Sequence, residues 1–143
     1  MKRHGKGVKK VLDQLNDRIR EKFNTTYPFA FAIAPSNTKL FVKDIESSII
    51  TSLSKGINIS NCFSKINGFD AGKTNEILSN DQLKKSIELN KECFNELVSL
   101  DIINILLLDD VYALGNTFNA MKLLINETDS TKNIITATIL KTT

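Results

Sequence analysis

Histidine is almost missing from this chain: among 143 residues the only one is His4, in a basic N-terminal stretch. A histidine-based metal site or general base is thereby excluded, unless His4, at a solvated end, were to serve. Cysteine is nearly as scarce. Cys62 and Cys93 show neither C-x-x-C spacing nor a secretory context, so neither a disulfide framework nor a zinc knuckle is expected. Both are read as buried small hydrophobes in a reducing, cytoplasmic setting. No apolar run is long enough to span a bilayer, and the basic start is not followed by an apolar h-region, so neither a membrane segment nor a signal peptide is expected. Internal repeats and low-complexity segments are absent too, which leaves an ordinary globular chain.

What is present suits one domain. With 41% hydrophobic and 24% charged residues, 143 residues make a single core of a few strands and helices. The formal net charge of +3 conceals an asymmetry: Lys2, Arg3, Lys6, Lys9 and Lys10 precede any acid, and the remainder is slightly acidic. Such an arm has the composition of a solvated terminus, and also of a weak phosphate contact to nucleic acid.

Val8, Leu12, Leu15, Ile19 and Phe23 fall at helical spacing and predict an amphipathic helix over 8–23. Its apolar stripe suits the chain's own core or a neighbouring copy. Residues 1–27 thus form an arm and helix, and 28–143 an α/β core. Phe29-Ala-Phe-Ala-Ile-Ala34 reads as a first buried strand after Pro28. Asp44 is placed to cap a helix running to about Lys55, with Ile45, Ile49 and Leu53 inward and Gly56 as its stop. A second strand is predicted over 59–66, a long helix from Ser79 or Asn80 to about Leu97 interrupted by Asn90, a helix over 118–127 and a last strand over 133–140. Strands alternating with helices predict an α/β fold, a single domain with a mainly parallel sheet of four or five strands and helices on both faces.

The segment richest in chemistry is Asn104-Ile-Leu-Leu-Leu-Asp-Asp-Val-Tyr-Ala-Leu-Gly-Asn-Thr117. Four aliphatic residues in a row suit a strand covered on both faces, and Asp109 and Asp110 sit where it leaves the sheet. In open α/β sheets ligands bind outside the carboxyl ends of the strands, so these carboxylates face a small molecule or a metal. Gly115 permits a tight turn, and Asn116 or Thr117 can cap a helix whose free N–H groups favour an anion. Pro35-Ser36-Asn37-Thr38 follows the first strand, with small polar residues suited to cradling a phosphate and equally to an ordinary strand-to-helix turn.

Residues 105–117 resemble the signature of the type I phosphoribosyltransferases, in which four hydrophobic residues, two acids and a threonine- and glycine-rich loop bind 5-phosphoribosyl-1-pyrophosphate. Asp-Asp-Val and Gly-Asn-Thr are similar to elements of the competence-protein, ComF-like, branch, and a looser likeness covers about 28–141. The resemblance implies Mg²⁺ as cofactor, with Asp109 and Asp110 holding the ribose hydroxyls and steering metal-bound water as the catalytic pair. It implies Ala113, Leu114, Gly115, Asn116 and Thr117 around the 5-phosphate, and Ser36, Asn37 and Thr38 on the pyrophosphate. Lys73, in a 67–79 loop where the family has a flexible loop, is placed to reach the pyrophosphate as well. The implied reaction transfers the phosphoribosyl group to a nucleobase-like acceptor. Ala113 and Leu114 stand where family members carry threonine, which opens an alternative: a fold that has lost turnover and serves as a regulatory or nucleic-acid-binding module, with a partner protein or a second copy. A third reading comes from Gly68-Phe-Asp-Ala-Gly-Lys-Thr74, one residue short of a phosphate-binding P-loop, with Asn67 where the first glycine belongs.

Overall fold

The computed structural model describes residues 6–35, 42–66, 76–109 and 116–138. They form an α/β fold around a four-stranded parallel sheet. In chain order the elements are helix α1 (Lys6–Lys22), strand β1 (Phe29–Ile33), helix α2 (Val42–Ser52), strand β2 (Gly56–Asn58), a 3-10 turn (Ser60–Cys62), strand β3 (Phe63–Lys65), helix α3 (Asn80–Lys84), strand β4 (Ile87–Leu89), helix α4 (Lys91–Leu97), strand β5 (Asn104–Asp109), helix α5 (Asn116–Thr128) and strand β6 (Asn133–Thr138). The parallel sheet has the order β2-β1-β5-β6, and β3 and β4 make a separate antiparallel pair. Among the described residues no helix is long and apolar enough to cross a membrane.

The alternation in β1 explains why the sheet is covered twice. Successive side chains of a strand point to opposite faces, so the phenylalanines and isoleucine of F-A-F-A-I leave on one side and the alanines on the other. Phe29, Phe31 and Ile33 join Leu106 and Leu108 of β5 under α1 and α2, where Leu15, Ile19, Ile45 and Ile49 are buried. Ala30, Ala32, Ile105 and Leu107 meet Phe118, Met121 and Ile125 of α5, together with residues of α3, β4 and α4. The predicted stripe holds for Leu12, Leu15 and Ile19 of α1 and for Phe23 just after it, which all belong to that first cluster.

Two predicted elements are corrected. The second parallel strand is 56–58, earlier than the expected 59–66. Gly56 does not merely stop a helix; it pairs with Phe29, and a Cβ there would lie 2.9 Å from the Phe29 ring, so a larger residue would have to push that buried ring aside. Beyond it the Ile59 amide donates to Phe31 O (2.8 Å) and the chain tightens into the 3-10 turn. The long helix expected over 79–97 is three elements. Ser79 opens α3 with a capping box to Gln82, and Asn90 opens α4 by accepting from the Cys93 amide (3.0 Å). Between them Ile87 and Leu89 point inward and Glu88 outward, the period of a strand. Leu83, Ile87 and Phe94 mimic one helical stripe because three elements turn them to the same core.

The cysteines are corrected as well. The 3-10 turn and α4 bring Cys62 and Cys93 together as a disulfide, Cα–Cα 5.5 Å, across a separation of 31 residues that no local spacing reveals.

Candidate functional site

The order of the sheet selects one crevice. From β1 the chain passes through α2 to β2 on one side, and from β5 through α5 to β6 on the other, so the connections diverge between β1 and β5. Such a switch point, at the carboxyl ends of the strands, is where open α/β sheets take ligands. Here the register Ile33↔Leu108 brings the ends of β1 and β5 level. The Ala34 amide donates to Leu108 O (2.7 Å), continuing the pairing by one residue and bringing Pro35 beside the end of β5.

Asp109 ends β5, half-buried, opposite Thr138 of β6. It shares the parity of Ile105 and Leu107, and therefore the face covered by α5. α5 starts at Asn116, so its first turn and the Asp109 carboxylate belong to the same βα connection. Asp110, Ala113, Leu114, Gly115, Ser36, Asn37, Thr38 and Lys73 lie outside the described residues, as does the P-loop-like 68–74.

Asn116 has a different part from the one its position suggested. Only 3% exposed, it accepts from the Leu78 amide through Oδ1 (3.1 Å) and donates from Nδ2 to Glu76 O (2.8 Å). The side chain thus joins the return of the chain at 76–78 to the start of α5. Thr117, next to it, is half-buried.

Other residues at this rim carry no motif. The Ile33 amide donates to Ser60 Oγ (2.9 Å); Asn58 Oδ1 accepts from the Ser60 amide (2.9 Å), and its Nδ2 donates to the Glu46 carboxylate. A polar chain thereby runs from α2 to the last residue of β1. Arg18 of α1 donates to Thr138 O (2.5 Å), tying that helix to the end of β6. The only sequence signal was Asn58-x-Ser60, the composition of an Asx turn.

A shallow groove of about 390 Å³ lies elsewhere, between α1 and α2, lined by Asp13, Asp44, Ser48 and Thr51 among others. None of its lining residues belongs to β1 or β5. Among the described residues no three His, Cys, Asp or Glu side chains converge on one point. Comparison with protein-family models, with curated proteins and with solved structures finds no match to this chain.

Proposed function

We propose that this chain binds 5-phosphoribosyl-1-pyrophosphate or a related sugar phosphate, together with Mg²⁺, over the ends of β1 and β5, with a phosphoribosyltransferase-like site. The observation that carries the reading is the adjacency of β1 and β5 in parallel register, ending at Ile33 and Asp109. The two segments that the resemblance assigns to one ligand, 36–38 for the pyrophosphate and 109–117 for the ribose and 5-phosphate, follow these two strand ends in the sequence. Asp109 and Asp110 would accept from the ribose hydroxyls and hold Mg²⁺ through water. Backbone amides at the start of α5 favour the 5-phosphate. Transfer to a nucleobase-like acceptor would rest on positioning and charge neutralisation, with Mg²⁺ supplying charge for the departing pyrophosphate.

A second reading keeps the ligand and drops the turnover. Ala113 and Leu114 in place of threonines favour it, as does the lack of a histidine outside position 4.

Calorimetry with 5-phosphoribosyl-1-pyrophosphate, with and without Mg²⁺, tests the binding; Mg²⁺-dependent heat that Asp109→Asn removes is the expected result. ATP should give less. A stronger response to ATP, lost in Lys73→Ala and kept in Asp110→Asn, would replace the sugar-phosphate reading by the P-loop one. Pyrophosphate release on addition of nucleobases separates enzyme from binding module.

A further inference from the structure

The turn that holds the end of β1 is also one end of the disulfide. Ser60 accepts from the Ile33 amide and Ile59 donates to Phe31 O, so residues 59–62 are strapped to the rim of the β1–β5 crevice. On the other side the same turn is joined to α4 by Cys62–Cys93. A second tie does not involve sulfur: the Asn90 amide donates to Cys62 O (2.8 Å), while the Asn90 side chain caps α4 at the Cys93 amide. Opening the S–S bond therefore frees the turn from a covalent brace without removing the hydrogen bonds that hold β3, β4 and α4 together. The two sulfurs differ in access. Cys62 is 2% exposed, whereas Cys93 is half-buried, so Cys93 is the more accessible of the two.

We infer that Cys62 and Cys93 form a reversible thiol–disulfide switch that sets the rigidity of the β1 end of the crevice, its redox partner being a low-molecular-weight thiol and the corresponding disulfide. In reduction, the thiolate of the small thiol attacks Sγ of Cys93; the Cys62–Cys93 bond breaks and Cys62 leaves as a thiolate that takes a proton. A second small thiolate attacks the sulfur now bound to Cys93, releasing the Cys93 thiolate and the small disulfide. Two electrons pass to the protein, and oxidation by the small disulfide runs the same steps backwards. The switch itself stands apart from the sugar-phosphate reading; its consequence for ligand affinity rests on that reading.

The test uses the full chain equilibrated in glutathione buffers of different poise, with the oxidised fraction read by thiol alkylation and mass spectrometry. Amide hydrogen exchange is then compared between the two forms. Reduction is expected to speed exchange at Ile33 and Ile59 by about tenfold or more, while Leu107 in the middle of the sheet changes by less than about twofold. The double variant Cys62→Ser, Cys93→Ser should exchange like the reduced form in any buffer. Equal exchange at Ile33 and Ile59 in both forms would overturn the switch, and so would a pair that glutathione reduces only when the chain unfolds. Titration of both forms with 5-phosphoribosyl-1-pyrophosphate and Mg²⁺ keeps the two inferences apart. A several-fold weaker affinity of the reduced form supports both. Binding by neither form sinks the sugar-phosphate reading, and the exchange result alone then decides the switch.

Discussion

At the amino-terminal edge of the parallel sheet, polar groups tie one tight turn to the next; at the carboxyl-terminal edge they tie different elements to the strand ends around a crevice. Lys132 shows the first pattern. It is 7% exposed and donates to Ser99 O (3.1 Å) and Ile102 O, with the Asp129 carboxylate 3.8 Å away, so one ammonium locks the approach to β5 against the approach to β6. The Asn133 backbone amide donates to Ile103 O (2.8 Å), and its Nδ2 donates to Asn104 Oδ1 (2.9 Å). At the other edge Ser60, Arg18 and Asn116 reach across from the 3-10 turn, α1 and α5. The same hydrogen-bond chemistry joins turn to turn at one edge and, at the other, joins helices and a turn to the strand ends. Stability and ligand binding should therefore separate by edge.

Lys132→Ala gives the largest expected loss. Removing a buried charged donor leaves two carbonyls and a carboxylate without it, and the cost should be about 3 kcal/mol in urea unfolding. Affinity for 5-phosphoribosyl-1-pyrophosphate, measured where the variant is folded, should be unchanged. A folded Lys132→Ala protein that had lost binding would break the division between edges.

Asn116→Ala should cost about 2 kcal/mol, because the Leu78 amide and Glu76 carbonyl lose their partner. Here affinity should fall too, since the start of α5 is no longer braced, and calorimetry reads both effects on one sample. Ser60→Ala should cost about 1 kcal/mol and raise the exchange rate of the Ile33 amide selectively.

The smallest effect is a pH dependence at the amino-terminal edge. Hydrogen bonds from the Thr131 side chain and backbone hold the Asp129 carboxyl below its usual value. A lowered carboxyl pKa contributes stability that is present above the ordinary aspartate range and is lost as pH falls through the lowered value. Urea midpoints of the wild type and Asp129→Asn should therefore converge on acidification. The opposite sign applies to Lys84, whose pKa is raised by its bond to Glu127 and whose contribution fades only as pH rises through that raised value.

Legibility in the sequence followed the range of the interactions. β5 was plain because four aliphatic residues in a row need both faces covered, and β1 because its alternation and Pro28 are local signals. The capping pairs Ser79–Gln82 and Asn90–Cys93 are local too, yet the Leu83, Ile87, Phe94 stripe masked the break between them. Only the pairing of β3 with β4 settles that segment as a strand. At the candidate site the Asp109 position was legible, since strand ends bind ligands in this class. The brace formed by Asn116 was not, because its partners at 76 and 78 are distant in sequence.

The order of hydrophobic and polar residues determined by itself that this chain alternates strands and helices, that its central strands are buried on both faces, and that an acidic residue, Asp109, stands at a strand end. Periodicity and capping depend on neighbours within a few residues, so the sequence contains them whole. Tertiary structure alone decided that β1 lies beside β5, that residues 59–65 leave the parallel sheet, and that Cys62 meets Cys93. Each of those outcomes depends on which surfaces bury the most apolar area once all the elements are present, a competition between distant segments that no local window contains.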